Sequence, residues 1–167
     1  YRRAIMEKES DTSENKPIKS GFSRAWFGSS IDEFHRCSSE EILGTLTTNS
    51  EYAVEPTQRD AWLEQIIILN KELMGIAGDL FLEFNIPRMG KRIDAVVIVG
   101  PVVFAIEFKV GADTFDRASV EQVWDYALDL KNFHEASHHV SIVPVLVATE
   151  ADIEATFDLR ADSDDVY

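Results

Sequence analysis

Three strand-like runs follow one another closely in the middle of the chain: "LFLEFNI", "RIDAVVIV" and "VVFAIEFKV". Each is rich in Val, Ile and Phe and nearly continuous in its apolar character, as expected of strands buried on both faces. The turn signals "PRMGK" and "GP" separate them, and a fourth run, "VSIVPVLVAT", follows further on. Helical spacing appears on either side. Ser30 with Glu33 opens "SIDEFHRC", and Ser38 with Glu41 opens "SEEILGTL", each a capping-box pattern. A longer helix is predicted in "TQRDAWLEQIIILNKELMG", started by Thr57 and Asp60 and closed near Gly75. Trp62, Ile66, Leu69 and Leu73 form its apolar stripe, extended by Leu63, Ile67 and Ile68. A further helix over about 117–134 precedes the fourth strand. The order α–β–β–β–α–β predicts an α/β fold, with a central mixed four-stranded sheet flanked by helices.

Charges interrupt this pattern where burial makes them costly. Glu107 and Lys109 are two residues apart in "VVFAIEFKV" and therefore share a face. A hairpin with Val99 opposite Val102 sets Asp94 across from Glu107 and Arg92 across from Lys109, with opposed Cβ atoms about 4.5–5.5 Å apart. Two carboxylates that close repel each other unless a cation lies between them. Hard oxygen ligands without cysteine suit Mg²⁺ or Mn²⁺. Lys109 would stand beside that ion, placed to orient water. The structural alternative pairs Asp94 with Arg92 and Glu107 with Lys109. Glu64, beside Ile67 and Ile68 on the long helix, is the candidate third acid, and Glu83 in the first strand is its rival. Gln122 and Tyr126 fall four residues apart on the second helix and share a face.

Composition narrows the setting. At 167 residues the chain suits one domain with a substantial core. The formal charge of −14 argues against a generic phosphate-binding surface. Much of that charge lies in residues 150–167, read as an acidic tail or linker. Arg88, Lys91 and Arg92, just before Asp94, form a basic rim placed to meet backbone phosphates. A single cysteine, Cys37, excludes an internal disulfide and a cysteine-ligated zinc or iron–sulfur site, and suggests a reducing, cytoplasmic setting. No apolar run is long enough to cross a membrane. The polar residues 1–20 read as a flexible leader, 21–56 as a helical extension and 57–149 as the core. The two ends suggest part of a longer protein.

Asp94, then Glu107-Phe108-Lys109 on the next strand, then Gln122-x-x-x-Tyr126 on the following helix resembles the PD-(D/E)XK nuclease superfamily, in its RecB-like branch. The resemblance spans 57–149 and implies a restriction-endonuclease-like αβββαβ core and metal-dependent hydrolysis of DNA, or of RNA. It implies Asp94, Glu107, the Phe108 carbonyl and Glu64 as metal ligands. Lys109 would position the attacking water, and Gln122 and Tyr126 would steady the substrate strand or the lysine. The family's proline before the aspartate is replaced by Ile93. "GKRIDAVVIV", "VVFAIEFKVG" and "EQVWDYALDLKNFH" are also similar to nuclease modules of larger bacterial proteins with a helicase-like NTPase, which implies such a partner and a role in phage defence or DNA processing. The rival reading is a catalytically silent domain that binds nucleic acid or scaffolds a larger assembly. His134, His138 and His139 are read as helix-end residues rather than metal ligands. Trp26, Trp62 and Trp124 are read as core rather than as a base-stacking platform.

Overall fold

The apolar runs pair into one sheet. The computed structural model describes residues 24–86, 90–134 and 137–152. Five strands lie side by side in chain order: β1 (Ala25–Ser30), β2 (Asp79–Asn85), β3 (Arg92–Val99), β4 (Val102–Lys109) and β5 (Ser141–Ala148). The first three pairings are antiparallel and β4–β5 is parallel. The crossover through the helix at Arg117–Phe133 returns the chain in the direction of β4, whereas the helices between β1 and β2 return it the opposite way. The sheet is therefore mixed but has five strands rather than the expected four. The extra strand, "AWFGSS", is short, ends in small residues and lies at an edge. Gly28 shows what holds it there. It pairs with Phe81, and a Cβ at Gly28 would strike that ring. Its partner, not its own sequence, makes this segment a strand.

Helices α1 (Ile31–Arg36) and α2 (Ser39–Asn49) start at Ser30 and Ser38, each with its capping box formed. Helix α3 (Pro56–Glu72) starts differently from expectation. Pro56 occupies the first turn and Glu55 the cap position, ahead of Thr57 and Asp60; proline is preorganised there and its missing N–H costs nothing. Trp62, Gln65, Ile66, Leu69 and Leu73 are buried, whereas Leu63 and Ile67 face outward instead of widening the stripe. Helix α4 (Arg117–Phe133) is capped by Asp116, whose side chain accepts from the Ser119 N–H.

The sheet separates two apolar layers. On one face α1, α2 and α3 pack Ile31, Phe34, Ile42, Leu46, Trp62 and Ile66 against Leu80, Leu82, Ala95, Val97, Ile106 and Phe108. On the other face Tyr126, Ala127 and Leu130 of α4 cover Val96, Val103, Ala105 and Ile142. The segment expected to be a helical extension thus supplies a strand and much of the first layer. Among the described residues no helix is long and apolar enough to cross a membrane.

The alternation along β2 breaks at Glu83. Leu80 and Leu82 join the layer of α1–α3, whereas Phe84 joins that of α4. Glu83 is the one non-glycine residue with positive φ among the described residues, at 53°, a conformation that costs a β-carbon-bearing residue about 1–2 kcal/mol. Gly78, just before β2, is constrained by space. A Cβ there would collide with the Ile98 carbonyl oxygen, a backbone atom that cannot rotate away. Gly78→Ala is expected to cost about 1–3 kcal/mol in urea unfolding; an unchanged midpoint would mean that β2 and β3 separate freely at this end.

Candidate active site

The β3–β4 hairpin has the register on which the site geometry depends. Val99 pairs with Val102, and the ladder continues to Ala95 opposite Ile106. Gly100, at φ 56°, takes the first turn position. Asp94 and Glu107 would be the next opposed pair, but the ladder ends before them. Ile106 and Phe108 pack on the α1–α3 face, so alternation turns Glu107 toward α4, while Asp94 lies where β3 changes layers, between Ile93 in the α4 layer and Ala95 in the α1–α3 layer. Instead of a ladder bond, Asp94 Oδ2 accepts from the Phe108 N–H at 2.8 Å.

From α4, Gln122 and Tyr126 reach the same place. Lys109 Nζ donates to Glu107 Oε1 and to Gln122 Oε1, each at 2.9 Å. Gln122 Nε2 donates to Glu107 Oε1 at 3.0 Å and to the Tyr126 hydroxyl oxygen at 2.7 Å. Having accepted that bond, the Tyr126 hydroxyl still has its own proton to donate. Glu107 is buried, and its Oε2 has no hydrogen-bond partner among the described residues, an arrangement that costs free energy unless something else satisfies it. Asp94, Glu107 and Tyr126 line a cleft of about 920 Å³, together with Glu83, Lys91, Arg92, Arg24 and Tyr52 among others.

The local field follows from this crowding. Burial and the neighbouring Glu107 carboxylate raise the Asp94 pKa to about 7. Burial also raises that of Glu107, against the opposing effect of Lys109. Burial disfavours the charge on Lys109, but its bond to Glu107 and the two nearby carboxylates outweigh that and raise its pKa. Burial raises the Tyr126 phenol as well. The part of the Asp94 shift that comes from Glu107 is repulsion between two carboxylates, which a cation between them would relieve.

Other candidates land elsewhere. Glu64 is half-buried on α3 and is not among the residues lining the cleft; the buried stripe of that helix turns Gln65 inward instead. Its rival Glu83 does line the cleft, but both its oxygens are already engaged. Trp62 Nε1 donates to Oε1 at 2.7 Å and Arg92 Nε to Oε2 at 2.8 Å. Arg92 therefore does not face Lys109. It pairs with Asn85 across β2–β3, and its guanidinium lies 4.1 Å over the Trp26 ring. Of the structural alternative, the Glu107–Lys109 pair forms, while Asp94 takes a backbone N–H in place of Arg92. Lys91 pairs with Asp129 at 3.3 Å, so both described cations of the basic rim have an acidic partner. Arg88 lies outside the described residues. Phe108 is buried beside the site. Among the described residues no group of three or more His, Cys, Asp or Glu side chains is disposed to hold a metal; the oxygen donors available are the Asp94–Glu107 pair.

Sequence reading missed Arg24, Glu51, Tyr52 and Gln58 in the cleft wall. They come from the segment before β1, the α2–α3 loop and the first turn of α3, which meet only in the folded chain. Nothing in their local pattern marks them. Compared with protein-family models, curated proteins and solved structures, the chain matches none.

Proposed function

We propose that this chain is a metal-dependent nuclease domain of the PD-(D/E)XK type, RecB-like branch, that hydrolyses phosphodiester bonds of DNA. The observation that carries the reading is the buried, unpartnered Oε2 of Glu107 beside Asp94, within one cleft and tied to Lys109. The element order α3–β2–β3–β4–α4–β5 supports it by analogy of fold. Asp94 and Glu107 would hold Mg²⁺ or Mn²⁺, with the Phe108 carbonyl as a further donor. An Mg²⁺ site built from one or two carboxylates, with water and substrate phosphate completing it, needs no third acid. When bound, such an ion supplies Lewis acidity and a more acidic water.

The chain's own groups then have distinct tasks. Lys109 has three N–H donors, two of which are spent on Glu107 and Gln122. Lys109, which bonds Glu107 but is not itself among the residues lining the cleft, would use the third to orient a water or a phosphate oxygen. Gln122 fixes the lysine and Glu107 together, and the free proton of Tyr126 offers a donor to a strand lying in the cleft. Lys91 and Arg92 would meet the backbone only by sharing their charge with Asp129 and Glu83. That pairing, with the Lys109–Glu107 bond, is what favours the second reading, a catalytically silent nucleic-acid-binding or scaffolding domain, here too alongside a helicase-like NTPase.

Purified protein incubated with labelled linear, circular and single-stranded DNA and with RNA discriminates between them. Cleavage in Mg²⁺ or Mn²⁺ that stops with chelator is expected. Binding without cleavage at any concentration of either ion would favour the silent domain. Cutting of RNA alone would assign the same site to a ribonuclease.

A further inference from the structure

A second cavity of about 300 Å³ adjoins the cleft, and Tyr52, Gln58 and Arg92 line both. We infer that this side pocket, walled by Tyr52, Arg92, Trp26 and Trp62, takes a single unpaired nucleobase of a strand whose backbone lies in the cleft. The inference rests on the nuclease reading above and deepens it: the substrate is single-stranded or locally unpaired nucleic acid.

The walls have the chemistry a base requires. Tyr52 is 74% exposed, an unusual placement for a large aromatic residue, and it stands at the junction of the two cavities. Arg92 presents a planar guanidinium, a third exposed, already stacked on the buried Trp26. Tyrosine rings and guanidinium planes are the surfaces on which unpaired bases stack. Trp26 and Trp62, edge to face at 6.0 Å, line the pocket from the core, so they remain core residues that support the stacking surface. In a duplex the base would be committed to its partner, and filling the pocket would require extruding it.

The pocket is also preorganised. Ser50 Oγ donates to the Tyr52 carbonyl and accepts from its N–H. Asn49 Nδ2 ties the end of α2 to the Trp26 carbonyl at 2.6 Å, and Pro56 fixes the far end of the loop at the start of α3. Glu83, in its costly left-handed conformation, bonds Arg92 on one oxygen and Trp62 on the other. This gives the strained residue a task other than metal binding. It is a positioning residue that holds the guanidinium between cleft and pocket.

The test is binding in chelator, so that nothing is cut. Short fluorescent strands of DNA and of RNA, and the matching duplex, are titrated by anisotropy, with 2-aminopurine in one set of strands. Wild type is expected to bind single strands at least about tenfold more tightly than duplex and to quench 2-aminopurine. Tyr52→Ala should weaken single-strand binding about tenfold and remove the quench, whereas Tyr52→Phe should keep both, since stacking on an aromatic ring accounts for differences of that size. Tyr52 is exposed, so both variants should melt like wild type. Preference for DNA or RNA identifies the sugar, and either preference supports the base pocket. Equal binding of duplex and single strand, or no effect of Tyr52→Ala, overturns it. If Mg²⁺-dependent cleavage of duplex persists in that case, the nuclease reading stands without the pocket. Tyr52-dependent quenching in chelator, with no cleavage once Mg²⁺ or Mn²⁺ is added in its place, supports the pocket and removes the catalytic reading.

Discussion

Replacing Lys109 with methionine is expected to slow phosphodiester cleavage by about 10³-fold, within the range for a lost positioned proton donor, while nucleic-acid binding changes only a few-fold. Methionine keeps the length and apolar stem of lysine and removes its charge and donors. The fold should survive. The Lys109 side chain is 30% exposed, and Gln122 Nε2 still donates to Glu107 Oε1. Because the Lys109 pKa is raised from 10.5, the wild-type ammonium stays charged throughout the neutral range. It can therefore serve as a cation and donor but not as the base that takes a proton from water. The pH profile of wild-type cleavage should accordingly show no lysine titration near neutrality. Single-turnover rates with chelator controls give the comparison. A Lys109→Met protein that cuts as fast as wild type would place the chemistry away from this cleft.

The hairpin register was legible because it is local. Val99 opposite Val102 follows from a tight turn at Gly100–Pro101, and the ladder holds from there to Ala95 opposite Ile106, one position short of Asp94 and Glu107. Gln122 and Tyr126 were legible for the same kind of reason, since helical spacing alone puts them on one face. What pattern could not show was set by contacts distant in sequence. The strand of Ala25–Ser30 exists because Phe81 accepts Gly28 beside it. Arg92 was expected to face Lys109, but the ladder opens beyond Ala95, and Glu83 and Trp26 capture the guanidinium from other strands. Glu64 was preferred to its rival Glu83 because helix periodicity leaves Glu64 on an otherwise apolar flank, and the turn of the backbone at Glu83 has no signature in "LFLEFNI". The cleft's outer wall, with Tyr52 and Gln58, depends on how a loop packs, and loops have no period to read.

Asp94→Asn is expected to stabilise the protein at pH 8 while abolishing cleavage. The Asp94 carboxyl has an ordinary value of 3.8 and is raised to about 7 in the folded chain, by burial first and then by Glu107. Between those values the folded state holds a proton that the unfolded state has released, so stability falls as pH rises through this window and stays low above it. At about 1.4 kcal/mol per unit the limiting penalty is about 4 kcal/mol or slightly more; partial solvation and coupling to Glu107 reduce the expected gain to about 2 kcal/mol. That corresponds to a rise in Tm of roughly 4–8 °C for a chain of this size. Asparagine keeps an oxygen for the Phe108 N–H and adds donors that can face Glu107. The other groups around position 94 do not reverse the sign. Glu107 is also raised and eased by losing its neighbour, Lys109 stays charged, Tyr126 stays neutral, and Glu83 remains paired with Arg92. At pH 4, where Asp94 is protonated in the folded chain, the two proteins should melt within about a degree of each other. Saturating Mg²⁺ or Mn²⁺ should stabilise wild type at pH 8 by relieving the same repulsion, and should leave Asp94→Asn nearly unmoved. An equal gain from the substitution at every pH would mean that Asp94 ionises normally, and that its burial beside Glu107 does not destabilise the folded chain.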